Sequence, residues 1–163
     1  MLGSQSTAGT ISTGKIGEFH VFRELLRRGV NPYVPLVDIE GVDAVIKTKT
    51  GHYLELQVKT VATEKSARWF QVQRLRARHG YYIVCVALTI DPIEAWIIPA
   101  NVFEQHATVD KGGLYDLNLD STARGSDVPR AKLLAEYREA WHLLVGEAIT
   151  KPVATPGRHA ANA

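Results

Sequence analysis

Apolar and polar residues are arranged in three ways along this chain, and each predicts a different element. From Ser12 or Thr13 to Arg28 the apolar positions recur at helical spacing, with a hydroxyl to cap the start and Gly29 to stop it. Leu25, Phe22, Leu26 and Phe19 form the expected inner stripe; His20, Arg23, Glu24, Arg27 and Arg28 face outward. Glu18 falls inside the stripe, which is costly for a carboxylate unless Lys15, Lys59 or a backbone amide meets it.

From Asn31 the period shortens to two. Tyr33 and Val34, bracketed by Pro32 and Pro35, suit a short or edge strand. Residues 41–46 predict a second strand, Lys47 to Gly51 a turn, and Tyr53 to Thr60 an antiparallel return. In that return Leu54, Leu56 and Val58 point one way while Glu55, Gln57 and Lys59 point the other, with Asp43 on the neighbouring strand. Trp69 to Gln73 predicts a short strand, followed by a short basic helix ending at Gly80.

The third arrangement is a continuous apolar run. Tyr81 to Leu88 predicts a strand covered on both faces, Glu94 to Ile98 another strand, and Asn101 to His106 a short helix after Pro99. Residues 111–126 carry turn signals and no clear period. Asp127 and Pro129 then open a final helix closed by Gly146, with Leu133, Leu134, Tyr137, Ala140, Trp141 and Leu144 as its stripe. The expected organisation is a disordered segment over 1–12, one domain over 13–148 and a disordered tail over 149–163.

A chain of 163 residues, 45% hydrophobic, suits one compact domain with its own core. No apolar run reaches bilayer length and residues 1–13 have no apolar signal core, so no membrane association is expected. The single Cys85 excludes an intrachain disulfide and fits a cytoplasmic protein. Scattered histidines and one cysteine supply no zinc pattern. The net charge of +2 hides a division. Residues 59–79 hold Lys59, Lys65, Arg68, Arg74, Arg76 and Arg78 against Glu64 alone; residues 91–120 hold six acids against Lys111. A polyanion is drawn to the first block, although a charge run alone also reads as a solvated face.

An acid, an amide and an ammonium on one strand face, with an aspartate beside them, supply oxygen ligands for a hard divalent cation and a fixed charge for phosphate. Glu18 in Gly17-Glu18-Phe19, Asp43 in Gly41-Val42-Asp43, and Gln57-Val58-Lys59 resemble, in this order, the motifs of the PD-(D/E)XK nuclease superfamily. The likeness covers about residues 13–105 and is strongest to Holliday-junction-resolvase-like and intron-homing-type members. It implies an α/β restriction-endonuclease-like fold: an αβββαβ core, a central mixed sheet flanked by helices, and an extra C-terminal helix. It also implies DNA, double-stranded or branched, as substrate, Mg or Mn as cofactor, and a homodimer. Asp43 and Gln57 would hold the cation with Glu18 and Glu55, and Lys59 would stabilise charge on the phosphate. Lys15, Lys65, Arg68, Arg74 and Arg76 would meet the nucleic acid. The superfamily usually has an acid where this chain has Gln57, which leaves two further readings open: an inactive DNA-binding module and a protein-interaction domain on the same scaffold.

Overall fold

The structure is a computed structural model and describes residues 7–37, 41–63, 65, 68–123 and 125–146, with side chains from Ser12 onward. A five-stranded mixed sheet is its centre. β1 (Pro32–Tyr33), β2 (Ala44–Lys47), β3 (Tyr53–Val61), β5 (Tyr81–Ala87) and β6 (Glu94–Pro99) lie side by side in that order, with only β3 and β5 parallel. A smaller antiparallel sheet has the order β4 (Trp69–Gln73), β8 (Leu114–Asn118), β7 (Thr108–Val109). Among the described residues, no helix is long and apolar enough to cross a membrane.

The large sheet separates two cores. On one face Leu54, Leu56, Val58, Val84, Val86 and Ile97 pack against Val21 and Leu25 of α1 (Thr7–Arg27) and against Trp141 and Leu144. On the other, Ile83, Cys85, Trp96 and Ile98 meet Phe70, Val72 and Leu117 of the small sheet and Phe103 of α2 (Ala100–His106). Strand β5 contributes alternately to both cores, which explains its unbroken apolar run. Helices therefore flank a central mixed sheet, as expected.

Several local expectations need correction. Helix α1 begins at Thr7, inside the stretch expected to be disordered, and its buried line is Gly17, Val21 and Leu25. Phe19 and Leu26 are 66% and 55% exposed. The reason is close approach: a Cβ on Gly17 would lie 1.9 Å from Thr60 Oγ1 of β3, so the helix touches the sheet along the line that carries its glycine. His20 is not turned fully to solvent; it is half-buried with its ring centre 6.4 Å from that of Trp141.

No helix follows β4. Residues 74–78 are irregular, so among the described residues no α-helix lies between β3 and β5, and strand β4 runs in that connection. Residues 111–118, expected to be irregular, instead join β7 (Thr108–Val109) in a hairpin that pairs with β4 from Trp69↔Asn118 to Gln73↔Leu114.

The C-terminal helix is broken into α3 (Arg130–Leu133), a 3₁₀ turn (Ala135–Tyr137) and α4 (His142–Val145). Between them the backbone docks on edge strand β6. Glu139 N–H donates to Ala95 O at 2.8 Å, and Ala95 N–H donates to the Glu139 carboxylate at 2.6 Å. A bare sheet edge offers backbone groups that a continuous helix cannot satisfy. The break also lets Leu134 reach one core while Trp141 and Leu144 reach the other. The expected tail over 149–163 lies outside the described residues.

Candidate active site

Strand β3 frames the site. Its alternation places Gln57 and Lys59 beside Ile83 and Cys85 of β5, on the face covered by the small sheet. Gln57 is 7% exposed, and its Oε1 accepts a hydrogen bond from the Tyr81 hydroxyl at 2.9 Å. A carbonyl-type oxygen has two lone pairs, so this bond leaves capacity for a second partner. Gly41 lies against the same amide: at its φ of +75° a Cβ would fall 2.3 Å from Gln57 Nε2. Only glycine accommodates both the left-handed backbone and that contact.

Asp43 lies two residues after Gly41, just before β2. Its N–H donates to Leu56 O at 2.8 Å, and its Oδ2 accepts from Val58 N–H at 2.6 Å. The paired register ends at Ala44↔Leu56, and beyond it the Asp43 side chain supplies the acceptor for the next amide of β3. The carboxylate is thereby tied to the residue between Gln57 and Lys59.

Glu18 arrives from α1. The Gly17–Thr60 contact brings this turn of the helix onto β3, and Glu18 and Asp43 line one cavity of about 270 Å3 with Lys15, Val34 and Pro35. Lys15 Nζ meets Glu18 Oε2 at 2.6 Å, the pairing anticipated for an inward acid. Thr60 Oγ1 is buried and has no hydrogen-bond partner among the described residues.

Lys59 opens on the other side of β3, in a cleft of about 190 Å3 lined also by Thr60, Trp69 and Gln71. No ion pair engages it among the described residues. Its charge is felt by the buried Cys85 thiol, whose pKa burial pushes well up against that opposing influence. Glu55 stands apart from the other acids. Its carboxylate is held by Arg78 through Nε at 2.6 Å, and the Arg78 guanidinium also lies 4.2 Å above the Tyr81 ring.

The basic block divides in three dimensions. Arg68 is tied to Glu94 at 2.7 Å and to Asp120 at 2.8 Å. Glu94 is a buried hub that also accepts from Trp96 Nε1 at 2.5 Å and pairs with Arg138 at 2.8 Å. Burial alone would raise its pKa; the Arg68 and Trp96 hydrogen bonds and the two arginine charges outweigh this and hold the carboxyl below its ordinary value. Lys65, Arg74 and Arg76 remain exposed. Arg74, Arg76 and Arg78 surround a hollow of about 230 Å3 with Gly41, Gln57, Gln73 and Tyr81. Arg74 has φ +52° and its N–H donates to Gly113 O at 2.7 Å, so the hairpin before β8 fixes this bend.

Sequence reasoning did not single out Tyr81 or Gly41. The parallel register that sets Tyr81 beside Glu55 leaves no mark in the sequence. Gly41, two residues before the aspartate, was visible but had no partner to explain it.

Taken together, Glu18 and Asp43 share one cavity, Gln57 lines a second hollow and Lys59 a third, with the Asp43 carboxylate joined to β3 at the amide between Gln57 and Lys59. Their side chains supply hard oxygen donors and an ammonium. Among the described residues no three His, Cys, Asp or Glu side chains converge as an all-protein metal cage. Two carboxylates and an amide oxygen still suit a small hard cation that keeps water or phosphate oxygens in its remaining positions.

No protein-family model matches the chain, and no curated protein matches it. Among solved structures the chain is similar to that of the bacterial homing endonuclease I-Ssp6803I, with 25% identity and a TM-score of 0.56. The match covers 82% of this chain and 88% of the endonuclease. The chain thus has a nuclease-like α/β fold, similar to that of a bacterial homing endonuclease.

Proposed function

We propose that this protein is a metal-dependent DNA endonuclease of the PD-(D/E)XK type. The observation that carries the reading is the Asp43 carboxylate bound to the amide between Gln57 and Lys59, with Glu18 on the same cavity. The likeness to a homing endonuclease supports it independently. Asp43, Glu18 and the Gln57 amide oxygen would hold Mg or Mn. When bound, such a cation polarises a phosphate oxygen and offsets negative charge as it builds.

The chain's own residues do the rest. Lys59 meets the non-bridging phosphate oxygens and orients the attacking water, acting as an electrostatic stabiliser. The water oxygen bonds to phosphorus and gives up a proton to solvent while the bridging P–O bond breaks; its electron pair leaves on the departing sugar oxygen, which takes a proton from solvent. Tyr81 and Gly41 clamp the Gln57 amide so that its oxygen keeps one orientation. Glu55 and Arg78 buttress the start of β3. The exposed Lys65, Arg74 and Arg76 follow the DNA backbone, Lys15 sits at the cavity mouth, and Arg68 braces β4 through Glu94 and Asp120. The substrate is double-stranded or branched DNA, and pairing of two copies would cut both strands.

Supercoiled plasmid and branched DNA incubated with Mg²⁺ or Mn²⁺, against EDTA, test the proposal. Cleavage is expected only with metal and only while Asp43 and Lys59 are present. Undiminished cutting by both Asp43→Ala and Lys59→Ala would reject this site. A second reading, a DNA-binding module that does not cut, is favoured by the neutral Gln57 whose oxygen already serves Tyr81. Salt-dependent binding without cleavage would support that reading.

A further inference from the structure

Trp69 is the one tryptophan in contact with solvent: it is 42% exposed, while Trp96 and Trp141 are 2% and 3% exposed. It lies on the outer face of β4, and its indole N–H donates to an Asp116 carboxylate oxygen. Gln71, two residues along the same face, donates to the other oxygen at 3.2 Å. Asp116 therefore satisfies the polar edge of the indole and holds the ring in one orientation, while much of its apolar surface stays in water. Phe19 and Leu26 are more exposed still, so exposure alone marks nothing; what distinguishes Trp69 is that its polar edge is pinned and its ring held in one place. Trp69 and Gln71 also form the wall of the cleft that contains Lys59.

Resting on the endonuclease reading, we propose that Trp69 is a stacking platform for an unpaired nucleobase attached to the phosphate that Lys59 meets. A base inside an intact duplex has both faces covered by its neighbours and cannot reach a protein ring. Only an unpaired or extruded base presents a π-face to the indole. The preferred substrate is then DNA whose helix is interrupted beside the cut: a bulge, a branch point or a single-stranded junction. Asp116 is a positioning residue in this arrangement.

The full-length protein in EDTA separates binding from cutting. Three labelled probes are used: an intact duplex, the same duplex with one bulged base, and a single strand. Trp69→Ala is expected to weaken binding to the bulged duplex and the single strand about tenfold and to leave the intact duplex nearly unchanged. Trp69→Phe retains a ring and should recover most of that loss. Because the other tryptophans are buried, bulged DNA should quench the emission of the parent protein and not that of Trp69→Phe. Equal losses on intact and bulged duplexes, or identical quenching in Trp69→Phe, would overturn the platform. Metal-dependent cleavage with no quenching would remove this inference and leave the endonuclease standing. Failure to bind or cut any of the probes would remove both.

Discussion

The Asp43 carboxylate accepts a hydrogen bond from the Val58 amide at 2.6 Å, so the side chain completes the ladder where the β2 backbone leaves it. Structure and chemistry thus draw on the same group. Asp43→Asn keeps an acceptor and loses the charge; stability should change by less than about 1 kcal/mol while cleavage falls at least about 100-fold. Asp43→Ala also strands the amide and should cost about 1–3 kcal/mol in addition. Thermal unfolding and plasmid nicking on the same preparations separate the two effects.

Gln57 offers the opposite manipulation. Gln57→Glu keeps an acceptor for the Tyr81 hydroxyl and adds a negative charge beside Asp43. Divalent-cation affinity, measured by titration calorimetry, should rise several-fold. An unchanged or weaker affinity would remove Gln57 from the ligand set. Gln57→Leu should lower stability by about 1–3 kcal/mol, because the Tyr81 hydroxyl loses its buried acceptor.

The contact between Gly17 and Thr60 predicts a stability effect with a rescue. Gly17→Ala places a methyl inside Thr60 and should destabilise by about 1–3 kcal/mol despite the better helix propensity of alanine. Thr60→Ala in the same chain removes Oγ1 and Cγ2, the two nearest atoms, leaves the Cβ of residue 60 at 2.9 Å, and should recover part of the loss. Denaturant titration of the single and double variants measures the coupling.

Glu94 sets a limit to acid stability. A carboxyl whose pKa is lower in the folded than in the unfolded chain contributes fully above the ordinary Glu value of about 4.3, and the contribution is lost as pH falls. The melting temperature should drop below about pH 4.5, and Glu94→Gln should flatten that slope. Glu94→Ala should cost about 3 kcal/mol at neutral pH, at the low end for a buried pair because Arg68 keeps Asp120.

His20 acts in a higher window. Burial against Trp141 lowers its pKa, the attraction of Glu24 and Glu139 opposing and the repulsion of Arg23 and Arg28 assisting. The unfolded chain then binds the proton more readily, so stability falls as pH drops through the ordinary histidine value of about 6.5. Melting curves between pH 7.5 and 5.5, compared with those of His20→Phe, should show that slope disappear.

Much of this was legible along the chain. The hairpin that sets Asp43 against Gln57-Val58-Lys59 follows from a period-two pattern closed by Gly51, and the central position of β5 follows from its unbroken apolar run. The inner line of α1 was not legible: hydrophobicity favoured Phe19 and Leu26, but the closest approach went to Gly17. Nor was the final helix, whose periodic stripe gave way to backbone bonding on the edge of β6.

Side-chain order alone therefore determined which residues could share a strand face and which could act together, because alternation is a local property of extended backbone. The tertiary structure decided their partners: Tyr81 for Gln57, Arg78 for Glu55, Glu94 for Arg68. Partnership depends on parallel register, on the closeness of helix and sheet, and on which edges must be covered. Those are relations between segments distant in sequence, and no local period encodes them.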